Sequence, residues 1–323
     1  MKKPRILVVG SLAMDLIVSA ERFPNSGETV VGRDFETAPG GKGANQAVQA
    51  ARLGADVTMF GKVGQDSFGE QLKASLKSAG VDISQIGTAQ GTSTGVSNIL
   101  LETRDGAAAN RIICVPGANF VLSPEDVLPL RETIAGYDMV MLQLEIPLEV
   151  NRLVVQYARE KGVPVMLNSA PYMPVPDEML AGLSYISPNE HEAALLTGLP
   201  ITDIPSAKRA VDALRGKGTD HVLITMGSQG AVLGDEWGFY ASPCIPDVQV
   251  QDPTAAGDSF VAAFCTAVCV GLPQEKALRF ANYTASLTVS RMGAQPSLPT
   301  LREVLDQMKS RGESFPELEA LDR

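Results

Sequence analysis

Short apolar runs with alternating polar positions predict β-strands in the first third of the chain. These runs cover residues 5–10, the stretch through Leu16, Val18, Val30 and Val31, and residues 56–60, 95–101 and 111–115. Helical spacing is found between them at 43–53 and 67–79, and a glycine, Gly54 or Gly80, follows each helix. Because glycine is common just after a helix end, these two residues fit C-terminal caps.

From about residue 124 the pattern changes to short apolar strands that alternate with amphipathic helices. Strands are predicted at 138–144, 163–167, 183–187 and 221–225, and helices at 148–161, 190–197 and 205–216. Such alternation predicts a mainly parallel sheet that is covered by helices on both faces. A last strand region, 230–250, leads into apolar helices near 257–270 and 274–291. We expect the tail, 299–323, to be helical, then charged and loosely held.

Two strand-rich pieces, at 11–38 and 95–115, stand apart from this alternation. We expect them to form a small sheet beside a single α/β domain. Such a sheet is suited to cover the carboxyl ends of the parallel strands, where open α/β sheets bind their ligands. The chain has no internal repeat and no low-complexity linker.

Composition narrows the possible functions. The 323 residues include 27 basic and 37 acidic side chains, a formal net charge of −10, which argues against binding nucleic acid through its phosphates.

No stretch of about 20 apolar residues is present, so we expect no membrane span. The N-terminal apolar run is too short for a signal peptide. The four cysteines match no zinc or redox motif and predict buried, reduced thiols in a cytoplasmic protein.

The segment Asp252-Pro253-Thr254-Ala255-Ala256-Gly257-Asp258 is the most informative for chemistry, because a turn of small residues leads directly into an apolar helix. Ala255, Ala256 and Gly257 leave their backbone amides open to approach. Amides at a helix N-terminus bind anions and stabilise charge on a transferred phosphoryl group. Asp258 lies in the first helical turn, where a carboxylate is either an N-terminal helix charge or a general base.

A second glycine-rich stretch, Gly40-Gly41-Lys42-Gly43-Ala44-Asn45-Gln46-Ala47, also opens a helix. It is not a Walker loop, because the Gly-Lys-Ser/Thr order is missing. It brings the backbone and Asn45 within reach of a polar ligand.

The two stretches, in this order and about 210 residues apart, resemble the signature regions of the ribokinase family of carbohydrate kinases. The resemblance runs from Gly10-Ser11 to Gly293-Ala294-Gln295-Pro296-Ser297. Further ordered matches are Gly27-Glu28-Thr29, Thr94-Gly95-Val96, Gly117-Ala118-Asn119, Gln143-Leu144-Glu145, Pro188-Asn189-Glu190 and Thr225-Met226-Gly227-Ser228.

The resemblance implies an α/β fold, a three-layer sandwich with a mostly parallel central sheet and a small β-sheet lid. The α/β catalytic domain would comprise residues 1–10, 40–94 and 120–323, and the inserted lid residues 11–39 and 95–119.

It also implies the residues of the active site. Asp258 matches the base that takes a proton from the sugar hydroxyl, and Ala255, Ala256 and Gly257 match the anion hole. Positioning and charge stabilisation account for most of the catalysis of phosphoryl transfer. Together with Asp258, the sugar pocket would be lined by Ala13, Met14, Asp15, Gly41, Lys42, Gly43, Asn45 and Glu145.

For the second substrate, ATP, the resemblance implies a turn after a strand and several separate residues. These are Asn189, Thr225, Met226, Gly227, Ser228, Gln229, Gly230, Gly257 and Asn282. Asn189 and Glu192 match an element that organises Mg²⁺ indirectly, and they equally fit the start of a helix. A monovalent cation, K⁺, would bind loops that contain Asp252, Thr254, Thr288, Arg291, Gly293 and Ser297.

One departure from the family pattern concerns the sugar. The family usually carries Asn two positions before the sugar-binding Asp, where this chain has Ala13. Since one hydrogen bond to a sugar hydroxyl is lost, the pocket also admits 2-deoxyribose, which lacks that group. Backbone groups or a water molecule could supply the missing contact. Ser169 and the segment Ser259-Phe260-Val261-Ala262 also depart from the family pattern, away from the base.

Three functions therefore remain open. The first is ATP-dependent phosphorylation of a pentose at its terminal hydroxyl, D-ribose to D-ribose 5-phosphate. The second is a related kinase of 2-deoxyribose, another sugar or a nucleoside, and the third is a regulator that binds ligands without turnover. The exposed small sheet also predicts a homodimer formed through the lid.

Overall fold

A central sheet of nine strands and a small sheet of four make up the β-structure of the computed structural model, which describes residues 2–102 and 109–321. The strands β1 to β13 are, in chain order, Arg5–Val9, Ala13–Ala20, Asp34–Gly40, Asp56–Gly64, Asp82–Ala89, Gly95–Glu102, Ala109–Val115, Met139–Gln143, Val165–Asn168, Tyr185–Ile186, His221–Thr225, Ala231–Gly234 and Phe239–Ser242.

Twelve α-helices are found in the same described ranges. Helices α1 to α12 are Lys42–Arg52, Ser67–Ser78, Pro124–Val127, Leu130–Thr133, Leu148–Lys161, Asp177–Leu180, Glu190–Thr197, Ile204–Gly216, Ala256–Cys269, Gln274–Val289, Leu301–Ser310 and Pro316–Glu319. The long helices agree with the predicted ones to within two residues at each end. The four-residue helices α3, α4, α6 and α12 are too short for a periodic signal.

The central sheet has the order β13-β12-β11-β10-β9-β8-β1-β4-β5. Its strands are parallel, except that β12 and β13 form an antiparallel hairpin at one edge. The region 230–250 is therefore a hairpin followed by a loop, and β5 is a strand that the apolar pattern did not predict. At β1 the strand order reverses, which opens a crevice at the carboxyl ends of the strands.

The predicted α/β architecture is confirmed, because helices cover both faces of the sheet. Along β1, Ile6 and Val8 belong to one hydrophobic core and Leu7 and Val9 to the other. Successive side chains of a strand point to opposite faces, so continuous apolar strands supply two cores at once. Helices α1, α9 and α10 pack on the first face, and α5 and α8 on the second.

The small sheet has the order β3-β2-β6-β7 and is separate from the central sheet. The buried side chain of Asn119 binds the residue before β2: it accepts a hydrogen bond from Leu12 N at 2.9 Å and donates one to Leu12 O at 2.9 Å. Val30 and Val31, expected to continue the strand pattern, lie in the loop before β3, and Val31 is 88% exposed.

Two further expectations were wrong. The tail is not loosely held over its described part, since Leu305 and Met308 of α11 and Leu318 of α12 are buried in the core. Its last two residues, 322–323, lie outside the described residues. The cysteines are free, but only Cys265 is fully buried, while Cys114 and Cys244 are exposed. Among the described helices, none has the length and apolar character needed to cross a bilayer.

Candidate active site

The close approach of α1 to the start of β2 sets one wall of the site. Gly41 has a φ of 88°, and a Cβ there would lie 2.7 Å from Ala13 N. A Cβ on Gly43 would lie 2.6 Å from Ser11 N. Glycine is therefore required at both positions, and it allows the first turn of α1 to reach the end of β1.

Asp258 lies in the first turn of α9, opposite α1, and is 5% exposed. Its Oδ2 accepts a hydrogen bond from Asn45 Nδ2 at 2.9 Å, and its Oδ1 accepts one from Gln46 Nε2 at 3.1 Å. Burial raises the pKa of Asp258, while the Lys42 ammonium and the two amide donors oppose that rise. The carboxylate is thus surrounded by donors although water is largely excluded.

The turn before α9 presents backbone amides beside this carboxylate. Ala255 has a φ of 60°, in the left-handed region that residues with a Cβ rarely adopt. Ala256 N donates to Pro253 O at 3.2 Å, so this member of the expected anion hole is already bonded within the turn. The amides of Ala255 and Gly257 donate to no acceptor in the described part of the chain.

A cavity of about 200 Å³ joins these groups. Its wall is formed by Lys42, Asn168, Ala170, Ser187, Asn189, Glu192, Thr225, Pro253, Ala255, Ala256, Gly257, Asp258 and Val261. Ser187 Oγ is buried and has no hydrogen-bond partner among the described residues. Since unsatisfied buried polar atoms are rare, this hydroxyl fits a contact with a polar ligand.

Glu145, after β8, is bound to the start of α1. Its Oε2 accepts hydrogen bonds from Ser11 Oγ at 2.5 Å and from Lys42 N at 3.1 Å, and Gly43 N donates to Ser11 Oγ at 3.2 Å. A carboxylate at a helix N-terminus is favourable. Oε2 of Glu145 therefore connects the segment after β8 to Ser11 and to the start of α1. Its Oε1 makes no hydrogen bond within the described ranges.

Asp15 and Ala13 lie on one face of β2, and Met14 lies on the other. Met14 is 1% exposed and packs in the first core, so its side chain does not line a pocket, contrary to the expectation. Asp15 Oδ2 lies against Gly40 of β3, where a Cβ would be only 2.5 Å away. Burial raises the pKa of Asp15 to about 6, with Ser97 lowering it and the charges of Glu145 and Asp258 raising it.

Lys42 is the cation of this group. Burial lowers its pKa, but Asp258, Glu145 and Glu192 act in the other direction, and the net effect is a raised pKa. Its side chain lines the 200 Å³ cavity. It is placed to attract an anion as well as to offset the surrounding carboxylates.

Asn189 and Glu192 begin α7 as a capping box. Asn189 Oδ1 accepts from Glu192 N at 2.8 Å, and Glu192 Oε2 accepts from Asn189 N at 2.9 Å. Burial raises the pKa of Glu192. The interpretation as a helix start is confirmed, and the role beside Mg²⁺ stays a prediction, with both side chains lining the cavity.

The turn at 225–230 follows β11, and Thr225 pairs with Asn189 through an isolated β-bridge. Gly230 has a φ of 93°, and a Cβ there would lie 2.2 Å from Ser242 O. Met226 is buried, whereas residues 227–229 are exposed. Of this turn, only Thr225 reaches the cavity.

Asn282 lies outside the cavity. Its Nδ2 donates to Ser242 O at 3.0 Å and to Ser242 Oγ at 2.9 Å, so it ties α10 to the end of β13. Its amide nitrogen is already engaged within the fold.

The loops expected to hold a monovalent cation are joined by Asp252. Its Oδ1 accepts from Thr254 N at 2.9 Å, and its Oδ2 accepts from Gly293 N at 2.9 Å. Arg291 pairs with Glu303, while the hydroxyls of Thr288 and Ser297 donate to carbonyls of their own segments. Because these side chains are engaged, backbone carbonyls are left as cation ligands. No group of three or more His, Cys, Asp or Glu side chains suited to a metal is found within residues 2–102 and 109–321.

The sequence interpretation missed three buried amide side chains around Asp258. Gln46, Gln143 and Asn168 form hydrogen bonds with one another, and none was assigned to the site. A polar residue at the end of an apolar strand, such as Gln143 after Met139–Leu142, was the available signal. Buried polar groups need partners, which points to a network.

Comparisons with known proteins show which family the chain matches. The sequence model of the pfkB family of carbohydrate kinases matches residues 3–301. The ribokinase of Bacillus subtilis is 42% identical over 299 residues, which is 93% of this chain and 97% of that protein. The deoxyribokinase of Salmonella typhi is 33% identical over 299 residues, covering 92% and 96%.

Among solved structures, the Arabidopsis thaliana ribokinase complexed with ribose and ATP superposes with a TM-score of 0.88 at 35% identity. The match covers 96% of this chain and 99% of that one.

The raised pKa of Asp15 predicts a pH-dependent effect of its replacement. Because the pKa of Asp15 is about 6 in the folded chain against 3.8 ordinarily, folding favours the protonated form. The stability that the protonated side chain contributes is fully present below pH 4 and is lost as the pH rises through 6. At neutral pH the ionised side chain therefore destabilises the folded protein by about 3 kcal/mol. We expect Asp15→Asn to stabilise the fold by about 1 kcal/mol more at pH 8 than at pH 5.

Urea unfolding at the two pH values measures this difference. Glu36→Gln, an exposed carboxylate on β3, serves as the control and should change stability little at either pH. An equal effect of Asp15→Asn at both pH values would contradict the prediction.

Proposed function

The chain belongs to the pfkB family of carbohydrate kinases and is an ATP-dependent sugar kinase, and we propose that it phosphorylates D-ribose at its terminal hydroxyl to give D-ribose 5-phosphate. One observation carries the proposal: a buried carboxylate, an unengaged helix-start amide and a lysine border one cavity. These are Asp258, the amide of Gly257 and Lys42. This set suits phosphoryl transfer to an alcohol.

In the proposed reaction, Asp258 accepts the proton of the attacking hydroxyl. The hydroxyl oxygen forms a bond to the γ-phosphorus of ATP, the bond from that phosphorus to the β–γ bridging oxygen breaks, and ADP leaves. The amides of Ala255 and Gly257, with Lys42, stabilise the charge on the transferred group. The roles of Thr225, Asn189 and the exposed turn 227–229 in binding ATP belong to the same proposal.

For the sugar, we infer a pocket between the small sheet and α1. Asn45 Oδ1 is buried without a partner, which makes it a ready acceptor for a hydroxyl. Asp15 and the free oxygen of Glu145 supply two further acceptors. A hydroxyl-rich pentose supplies the donors that these oxygens need.

A second candidate substrate is 2-deoxyribose, which the side chain at position 13 favours. Ala13 lies on the same face of β2 as Asp15 and carries no polar group, so a contact to one hydroxyl is missing. One relative, of whose length the match covers 96%, is a deoxyribokinase. The two candidates differ in a single hydroxyl and are separated by direct comparison.

Two metal ions belong to the proposal. Glu192 uses one oxygen in the capping box, which leaves the other oxygen and Asn189 beside the cavity, a donor set that suits Mg²⁺ bound through water and phosphate. Bound there, Mg²⁺ would neutralise charge on the phosphates. The carbonyls of the loops joined by Asp252 suit K⁺, and the first of these loops, 252–254, leads directly into the turn before α9.

We also propose a cytoplasmic homodimer formed through the small sheet. Its exposed apolar side chains include Phe35 of β3, 60% exposed, and Ile113 of β7, 66% exposed. Exposed apolar side chains on an open sheet favour pairing with a second copy.

The first test of the function is sugar phosphorylation by the wild-type protein and by Asp258→Asn. In an ADP-release assay over pentoses, hexoses and nucleosides, we expect ribose to give the highest kcat/KM. Asp258→Asn should lower kcat by about 10³-fold, since a neutral amide accepts no proton, while calorimetry should show ATP binding within about threefold of wild type. Asp306→Asn, on the exposed face of α11, is the control and should be fully active.

The substrate assignment fails if ribose is not turned over above background, and the base assignment fails if Asp258→Asn remains active. A preference for 2-deoxyribose would select the second candidate.

Ala13→Asn tests the origin of sugar selectivity. Gly40 and Gly95 flank Ala13 in register, so neither neighbouring strand places a side chain beside position 13. One added hydrogen bond should raise the ratio of kcat/KM for ribose to that for 2-deoxyribose by about tenfold. Ala13→Leu adds similar volume without a polar group and should not raise the ratio. An unchanged ratio in Ala13→Asn would remove position 13 from the selectivity argument.

The cation proposal is tested by salt replacement at constant ionic strength. We expect a higher kcat in KCl than in NaCl or tetramethylammonium chloride, because a cation on the loops at 252–254 and 288–297 would fix the turn before α9. Equal rates in the three salts would exclude the site.

A further inference from the structure

The buried amides beside Asp258 form a continuous chain of hydrogen bonds. Gln143 Nε2 donates to Gln46 Oε1 at 2.7 Å, and Gln46 Nε2 donates to Asp258 Oδ1 at 3.1 Å. Gln46 Nε2 also lies 3.3 Å from Asn168 Oδ1, and Asn168 Nδ2 donates to Ser187 O at 2.8 Å. The chain connects β8 and β9 to the base through one side chain of α1.

We propose that Gln46 is a positioning residue for the base Asp258, held in the orientation that donates to the carboxylate by Gln143. The proposal goes beyond the reaction described above and rests on the role proposed there for Asp258.

The network allows only one orientation of the Gln46 amide. An ionised carboxylate only accepts hydrogen bonds, so the group facing Asp258 must be the nitrogen. The opposite end of the amide is then the oxygen, and this is the atom to which Gln143 donates. Asn168 presents its oxygen because its nitrogen is engaged with Ser187 O. A rotated Gln46 would place oxygen against oxygen at both Asp258 and Asn168.

Their remaining hydrogen-bond partners distinguish Gln46 from its neighbour Asn45, although both are buried and both donate to Asp258. Gln46 and Gln143 are 0% exposed, and both polar atoms of Gln46 are bonded within the fold. Asn45 retains a buried oxygen without a partner, which is available to a substrate. Gln46 does not line the cavity and can therefore affect the reaction only through the cavity side chains that it bonds, the proposed base Asp258 and Asn168, whereas Asn45 has a direct route through its free oxygen.

The charged groups that face Asp258 come from three directions. Lys42 of α1 favours the ionised carboxylate, while Glu145 after β8 and Asp15 of β2 disfavour it. Hydrogen bonds to a carboxylate lower its pKa, so loss of the Gln46 donor would raise the pKa of Asp258 further. The fraction of protein with an ionised base would then fall at a given pH.

The test is the pH dependence of kcat in Gln46→Glu, which keeps the size of the side chain but replaces the donor by a carboxyl group. We expect the acidic limb of the kcat profile to move to higher pH by at least about one unit. At pH values well below the midpoint of this limb, kcat should fall about tenfold or more, since there one unit of pKa is a factor of ten in the ionised fraction. The KM for the sugar should stay within about threefold, because Gln46 does not contact it.

Gln49→Glu is the matched control. Gln49 is a fully buried glutamine of the same helix whose Nε2 donates to Pro299 O at 2.9 Å, away from Asp258. A buried carboxyl group there should lower stability without moving the pH profile. An unshifted profile in Gln46→Glu, a shift of the same size in Gln49→Glu, or a change mainly in KM would each overturn the proposal.

If Gln46→Glu does not fold, as judged by circular dichroism, Gln46→Asn replaces it. This side chain is too short to reach Asp258 and should move the limb in the same direction, and an unmoved limb overturns the proposal. The profiles are measured with whichever sugar the wild type prefers. An active Asp258→Asn would refute the base itself, whereas an inactive Asp258→Asn beside an unshifted Gln46 variant would refute only this inference.

Discussion

The proposed reaction depends on keeping one carboxylate ionised where water is largely excluded. Asp258 is 5% exposed, and burial by itself favours the protonated form, which could not accept a proton. Three side chains from the first turns of α1 act against burial: the Lys42 ammonium through its charge, and the amides of Asn45 and Gln46 through hydrogen bonds. The arrangement of α1 against α9 is thus an electrostatic requirement as well as a packing contact.

That arrangement is available only because backbone approaches backbone at the start of α1. A Cβ at Gly43 would collide with Ser11 N, and Gly41 adopts a left-handed φ. With α1 drawn in, Glu145 binds the first amide of the helix, and Lys42 projects into the cavity between Asp258 and Glu192. Small residues in the sequence therefore control where the charged ones meet.

Much of the fold could be predicted from the sequence because its strands and helices are long and periodic. The apolar runs of β1 and β8 and the spacing of α5 and α8 contain the information locally. The segment β5 did not stand out, because its inward positions are few and its polar positions frequent. The packing of α11 and α12 was missed for a different reason: contacts between distant segments decide it.

The site shows the same division between local and distant information. The small-residue turn before Asp258 indicated a helix-start anion site, but only the structure shows that Ala256 N is already bonded to Pro253 O. Met14 lies within a pocket-lining motif, yet strand alternation turns its side chain into the core. The partners of Gln46 lie 97 to 212 residues away, at Gln143, Asn168 and Asp258. No pattern within a single segment of the sequence can predict a network between residues so far apart.

The same carboxylates that suit a polyol disfavour one another's ionised forms in the buried site. Asp15, Glu145 and Asp258 interact through space, and Lys42 is the cation that opposes them. Sugar hydroxyls would donate to these oxygens and relieve part of the free-energy cost of burying them. The hydrogen bonds that bind the sugar would therefore also stabilise the buried carboxylates. Burial is the main cause of the raised pKa of Asp15, about 6, and the charges of Glu145 and Asp258 add to it, while Ser97 lowers it. A pocket built in this way favours ligands rich in hydroxyl donors over apolar ones of equal size.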